Sequence, residues 1–107
     1  MTRYRLTGAA DEDMVLVFIQ GCDLFGRRQA DRYFDGLHDC FQRLALNPGT
    51  ARLRTEFNPP LRVAAYKAHV VIYEVDDDGV TILRVRHGRE DWPADPLGGA
   101  VEGDVEP

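Results

Sequence analysis

The stretch "HVVIYEVDDDGVTILRVRH", His69 to His87, decides the fold. Its first part, "HVVIYEV", is nearly all apolar, and "VTILRVR" alternates apolar with other residues, the period of a β-strand. Between them "DDDG" suits a hairpin loop, with Gly79 as the left-handed residue of a three-residue turn and bulge. That loop predicts a register pairing Val75 with Thr81, Tyr73 with Leu83 and Val71 with Val85, their shared side facing the core. The opposite side then carries Val70, Ile72, Glu74, Ile82, Arg84 and Arg86. Three aliphatic side chains beside two arginines are too apolar for a merely solvated face, and such patches mark partners.

Upstream, "LRVAAY" (Leu61 to Tyr66) is a further strand, and "TRYRLT" alternates as a short N-terminal one. The segments between them are helical. In "DEDMVLVFIQGCDLFG", Met14, Val17, Phe18, Gly21 and Phe25 recur on one face, with Asp11, Glu12 and Asp13 in the first turn, where the helix dipole favours negative charge. Val15, Ile19 and Cys22 form a second apolar stripe that cannot face the same core. In "RRQADRYFDGLHDCFQRLALNPG", Ala30, Tyr33, Phe34, Leu37, Phe41 and Leu44 make one stripe, ended by Asn47, Pro48 and Gly49. With Gly26 as the sole break, the two helices should form an antiparallel hairpin. The order β-α-α-β-β-β therefore predicts an α+β fold, with an N-terminal strand and a two-helix hairpin on one face of a curled antiparallel sheet.

The chain has 107 residues, enough for one domain with a modest core. The net charge of -5 would argue against a nucleic-acid partner, but the acids are unevenly placed. Four of the 18, Asp95, Glu102, Asp104 and Glu106, fall after Pro93 with no Lys or Arg, leaving 14 acidic against 13 basic residues elsewhere. Residues 1–93 are thus expected to form the domain, and 94–107, containing Gly and Pro without periodicity, an acidic disordered tail. Cys22 and Cys40 lie on opposite sides of the helical corner and should remain unpaired. No apolar run approaches the roughly 20 residues of a membrane span, and the N-terminus lacks a signal peptide's apolar core, so a cytoplasmic location is expected. No Gly-rich phosphate loop, Ser-His-Asp grouping or metal-spaced His/Cys cluster occurs, so neither cofactor nor metal is expected.

The order and spacing of "YRLTGAADED", "FGRRQADRYFDGLHDCFQRLALNP" and "LRVAAYKAHVVIYEVDDDGVTILRVRHGRED" resemble the ParE branch of the ParE/RelE toxin superfamily, above all in "ILRVRHGR". The resemblance runs from Tyr4 to Trp92 and implies the same helix hairpin over a curled antiparallel sheet. It implies a toxin of a type II toxin–antitoxin module that inhibits DNA gyrase, is not an enzyme, and forms a hetero-oligomer with a ParD-like antitoxin. No membrane partner and no specific DNA binding by the toxin itself are implied. The expected antitoxin-binding residues are Val15, Ile19, Val70, Ile72 and Ile82 as apolar anchors, with Arg84, Arg86 and Arg89 pairing with acidic groups of the antitoxin.

Two other readings stand beside it. A ribosome-dependent mRNA endonuclease of the RelE kind would use His87 as general base or acid, with Arg84, Arg86, Arg89, Arg62 and Lys67 balancing phosphate charge. Against it, nothing after Trp92 is Tyr or His, and the terminal residues are acidic. The third reading is an interaction subunit that is no longer toxic.

Overall fold

Thr7 closes the first strand and opens the first helix. Its backbone N–H donates to Ile82 O at 3.0 Å and its hydroxyl to Leu83 O at 2.9 Å, while Oγ1 accepts the Ala10 N–H at 3.1 Å as a helix cap. The computed structural model describes residues 3–98. Strand β1 (Tyr4–Leu6) leads into α1 (Gly8–Phe25) and α2 (Arg27–Leu46); after a 3₁₀ turn at Pro48–Thr50 come β2 (Leu53–Arg54), β3 (Leu61–Tyr66), β4 (His69–Asp76) and β5 (Gly79–His87). A second 3₁₀ turn spans Trp92–Ala94.

Gly26, at φ 89°, makes the corner between the helices alone. The helices then pack closely, because a Cβ on Gly21 would stand 3.2 Å from that of Ala30. Leu37, Cys40, Phe41 and Leu44 of α2 are buried against Val71, Tyr73, Val80, Ile82 and Val85 of the sheet, with Ala10 and Met14 from α1. Tyr33 and Phe34 pack half-buried at the margin of this core. Phe25, expected on the core stripe, is instead 63% exposed, at the rim of a cleft that it shares with Lys67 and His69. Cys22 and Cys40 are both free thiols. No described helix is long and apolar enough to cross a membrane.

The sheet order is β1-β5-β4-β3-β2. It is mixed rather than wholly antiparallel, because β1 lies parallel to β5, with Tyr4 opposite Val80 and Leu6 opposite Ile82. The connection between them, carrying both helices and strands β2 to β4, is long enough for the crossover that a parallel pairing requires. The two-residue β2 is an addition to the expected order. It is held near the helices by Arg62, whose Nη1 donates to Ala51 O at 2.6 Å, and by Tyr73, whose hydroxyl donates to Pro48 O at 2.8 Å.

The β4–β5 register departs from expectation in an instructive way. Asp76 pairs with Gly79, so the loop holds only Asp77 and Asp78, and Val75 lies opposite Val80 and Tyr73 opposite Ile82. The carboxylate of Asp76 accepts the Asp78 N–H at 2.8 Å, a side-chain turn that tightens the loop. A bulge then places Leu83 as the extra residue, and the expected pairing of Val71 with Val85 returns. A one-residue slip exchanges faces. Ile82, expected on the second face beside Arg84, is therefore fully buried in the helix-side core, and Leu83 takes the second face.

That second face is covered by the chain itself. Trp92, Phe57 and Leu97 pack with Leu61, Ile72, Val63, Val70 and Leu83. The packing on this face includes Leu97, beyond the expected boundary at Pro93. The rest of the expected tail, 99–107, lies outside the described residues.

Candidate functional site

Among the described residues, no strand pairs with the outer edge of β5 beyond Ile82, where unpaired backbone groups would invite another strand. Side chains occupy that edge. Asp13 Oδ2 accepts the Val85 N–H at 2.9 Å, and Glu90 Oε1 accepts the His87 N–H at 2.9 Å. The same Asp13 carboxylate receives Arg84 Nε at 2.6 Å and Nη2 at 2.9 Å, a bidentate pair in which both side chains are largely buried. The bond to Asp13 raises the Arg84 pKa above its usual value. Its remaining Nη1 donates to Leu97 O.

Arg86 is equally committed. Its Nε meets Glu90 at 3.3 Å, and Nη1 donates to the carbonyls of Asp95 and Pro96, each at 2.9 Å. The two arginines thus clamp the segment from Trp92 to Gly98 as a strap over the second face. Gly98, at φ 59°, is needed there: a Cβ would stand 2.6 Å from Arg84 Nη1 and 2.9 Å from Arg86 Nη1. Arg54 completes the cover, its guanidinium 5.2 Å from the Phe57 ring centre and 5.8 Å from that of Trp92.

On the other side of β5, His87 turns toward the helices. It borders a cleft of about 520 Å³ between α1, the start of α2 and the β3–β4 turn. Val17, Leu24, Phe25 and Ala30 supply its apolar lining, and Tyr33, Lys67, His69, His87 and Arg89 its polar lining. Tyr33 Oη and His69 Nδ1 are hydrogen-bonded at 2.7 Å, the His69 and His87 rings lie 5.1 Å apart, and the Arg89 N–H donates to His87 Nδ1 at 3.0 Å. Burial, and then the neighbouring His87, push the His69 pKa down. A second cleft of about 410 Å³, lined by Leu16, Asp13 and Val85, shares Val17, Gln20, His69 and His87 with the first. Together they make one groove along α1. Its outer lip is the apolar flank of Val15, Leu16 and Ile19, exposed at 56%, 55% and 48%.

The expected binding patch is therefore divided. Val15 and Ile19 stand exposed on α1 and Arg89 borders the groove. Val70 and Ile72 lie under the strap, Ile82 is in the core, and Arg84 and Arg86 hold Asp13 and the strap. His87, Arg84 and Arg86, the set expected for a nuclease, all border the second cleft, but there both arginines are held by Asp13, Glu90 and the strap carbonyls. Arg62 is also distant in role, fixing the Ala51 carbonyl. Sequence reading missed Asp13, Tyr33 and His69. His69 was recoverable, since extending the Val71–Val85 pairing by two residues places it opposite His87. Asp13 had no such signal, because its partners are more than 70 residues away. No group of three or more His, Cys, Asp or Glu suited to a metal ion occurs among the described residues.

Residues 4–92 match the family of ParE toxins of type II toxin–antitoxin systems, parDE. The chain is 31% identical over 91 residues to Toxin ParE1 of Mycobacterium tuberculosis, covering 84% of this chain and 93% of that protein. It is 30% identical over 89 residues to Toxin ParE3 of Caulobacter vibrioides, covering 83% and 89%. Its fold is similar to a chain in a structure described as the chromosomal ParDE TA system from P. aeruginosa, with a TM-score of 0.70 at 17% identity, over 81% of this chain and 96% of that one. Fold and sequence together define a toxin of a type II toxin–antitoxin system. The chain belongs to the ParE toxin family.

Proposed function

We propose that this toxin acts by binding rather than by cutting: it inhibits DNA gyrase, and a ParD-like antitoxin neutralises it by covering α1 and the adjoining groove. One observation carries the non-catalytic half of this reading. Arg84 and Arg86, the strand-end cations that phosphate cleavage would require, are committed within the molecule to Asp13, Glu90 and three strap carbonyls. The antitoxin half rests on the exposed stripe of Val15, Leu16 and Ile19 beside the groove, the apolar anchorage that an amphipathic segment needs. On this reading the toxin works in the cytoplasm, where gyrase is. Expression without antitoxin should arrest growth and bring a DNA-damage response while mRNA stays uncut. Growth without arrest would make the chain an interaction subunit instead.

A second reading is favoured by a different observation. Tyr33, His69 and His87 share a cleft with Lys67 and Arg89, residue types able to transfer protons and balance phosphate charge in an mRNA endonuclease. Codon-phased mRNA cuts that vanish in a folded His87→Gln variant would establish that reading in place of the first.

A further inference from the structure

We infer that the end of the groove where Lys67, His69, His87 and Arg89 meet is a carboxylate-binding subsite, so that the antitoxin segment lying along α1 presents an Asp or Glu there. This rests on the antitoxin reading of the groove and names what the partner must carry.

Charge is unevenly answered at this end of the groove. Lys67 and Arg89 are exposed at the cleft, and neither is in an ion pair among the described residues. The nearby acids cannot serve them: Asp13 is held by Arg84, and Glu90 by Arg86 and the His87 N–H. Two cations thus border an apolar cleft with no carboxylate partner among the described residues, Lys67 Nζ lying over the Tyr66 ring at 5.6 Å from its centre, and a partner's carboxylate would gain charge-assisted hydrogen bonds there.

Tyr33 fixes His69 through Nδ1, and Arg89 fixes His87 through Nδ1, which leaves the two Nε2 positions to meet a ligand. Lys67, Arg89 and His87, whose Nε2 carries the proton because Nδ1 accepts the Arg89 N–H, then supply donors to a small anion beside the His69 ring.

The wall decides the kind of partner. Val17, Leu24 and Phe25 of the cleft share helix α1 with the exposed Leu16 and Ile19, with Gln20 between them, a mostly apolar strip that favours apolar side chains in its occupant. A nucleic-acid strand brings repeated phosphates and no aliphatic groups, whereas a peptide brings aliphatic anchors and then one acid.

The test uses the full chain and the protein encoded by the adjacent gene. Isothermal titration should show tight binding by the parent toxin and at least a hundredfold weaker binding by the Lys67→Glu/Arg89→Glu double variant, with circular dichroism showing both folded. The milder Lys67→Gln/Arg89→Gln pair should weaken binding at least tenfold. Among single Asp or Glu to Lys variants of the antitoxin, one should recover at least tenfold of the loss with the charge-reversed toxin. Double variants that bind within threefold of the parent, or an antitoxin scan without rescue, would overturn the subsite while leaving the antitoxin reading intact. Absence of binding to the parent toxin would remove both. A labelled single-stranded dT12 probe that binds the parent and is lost in the double variants would assign the cluster to phosphate and also overturn the inference.

Discussion

Asp13 of the first helix and Arg84 of the last strand form a bidentate ion pair, Oδ2 to Nε at 2.6 Å and Oδ1 to Nη2 at 2.9 Å, and the same carboxylate accepts the Val85 N–H. One side chain thereby ties α1 to β5 and caps the free edge of the sheet. Removing one member of a largely buried pair leaves the other charge unanswered. Asp13→Ala should cost about 3 to 5 kcal/mol in a urea melt. A loss below about 1 kcal/mol, the scale of an exposed pair, would contradict the buried assignment.

The strap makes a different prediction. Gly98→Ala introduces a Cβ into space that Arg84 and Arg86 already fill, at a φ that side chains rarely adopt. The strap should loosen, and Trp92, the single tryptophan of the chain, should report it by a red-shifted emission. Emission identical to the parent's would show that the strap does not depend on Gly98.

Leu37 has 0% of its surface exposed between helices and sheet. Leu37→Ala should cost about 2 to 5 kcal/mol, measured against the same urea baseline.

The His69 pair gives stability a pH dependence of known sign. Its folded pKa lies below the ordinary value of about 6.5, so below neutrality the unfolded chain binds more protons than the folded one. Stability should therefore fall as pH drops through about 6.5 toward the lower folded value, then level off for this group. In melts between about pH 7.5 and 5, His69→Gln should flatten that slope. An unchanged slope would assign it to other groups.

The sequence made the helices legible because their stripes and the Gly26 corner are local signals, and Leu37, Phe41 and Leu44 are buried as their spacing requires. It also showed β3, β4 and β5. The face assignment within β5 was not legible, because the choice between a two-residue and a three-residue loop at "DDDG" decides it, and the bulge at Leu83 then reverses the choice halfway along the strand. The strap escaped for a related reason. Trp92 and Leu97 carry too little periodicity to announce burial, and their anchors are backbone carbonyls, which leave no mark in a sequence. Val15 and Ile19 were readable as a spare stripe, and both are exposed on α1. Arg84 and Arg86 were readable as cations, but their partners depended on folding distant parts of the chain together.

Inhibition of gyrase by binding, as proposed, needs no proton transfer. Its most direct test incubates the purified toxin, and a His69→Gln/His87→Gln variant shown to be folded, with gyrase, ATP and plasmid DNA, and measures cleaved DNA after detergent and protease treatment. Both proteins should block supercoiling and accumulate gyrase-linked cleaved plasmid to a similar extent. Normal supercoiling in the presence of the parent toxin, with no trapped cleavage, would contradict the account.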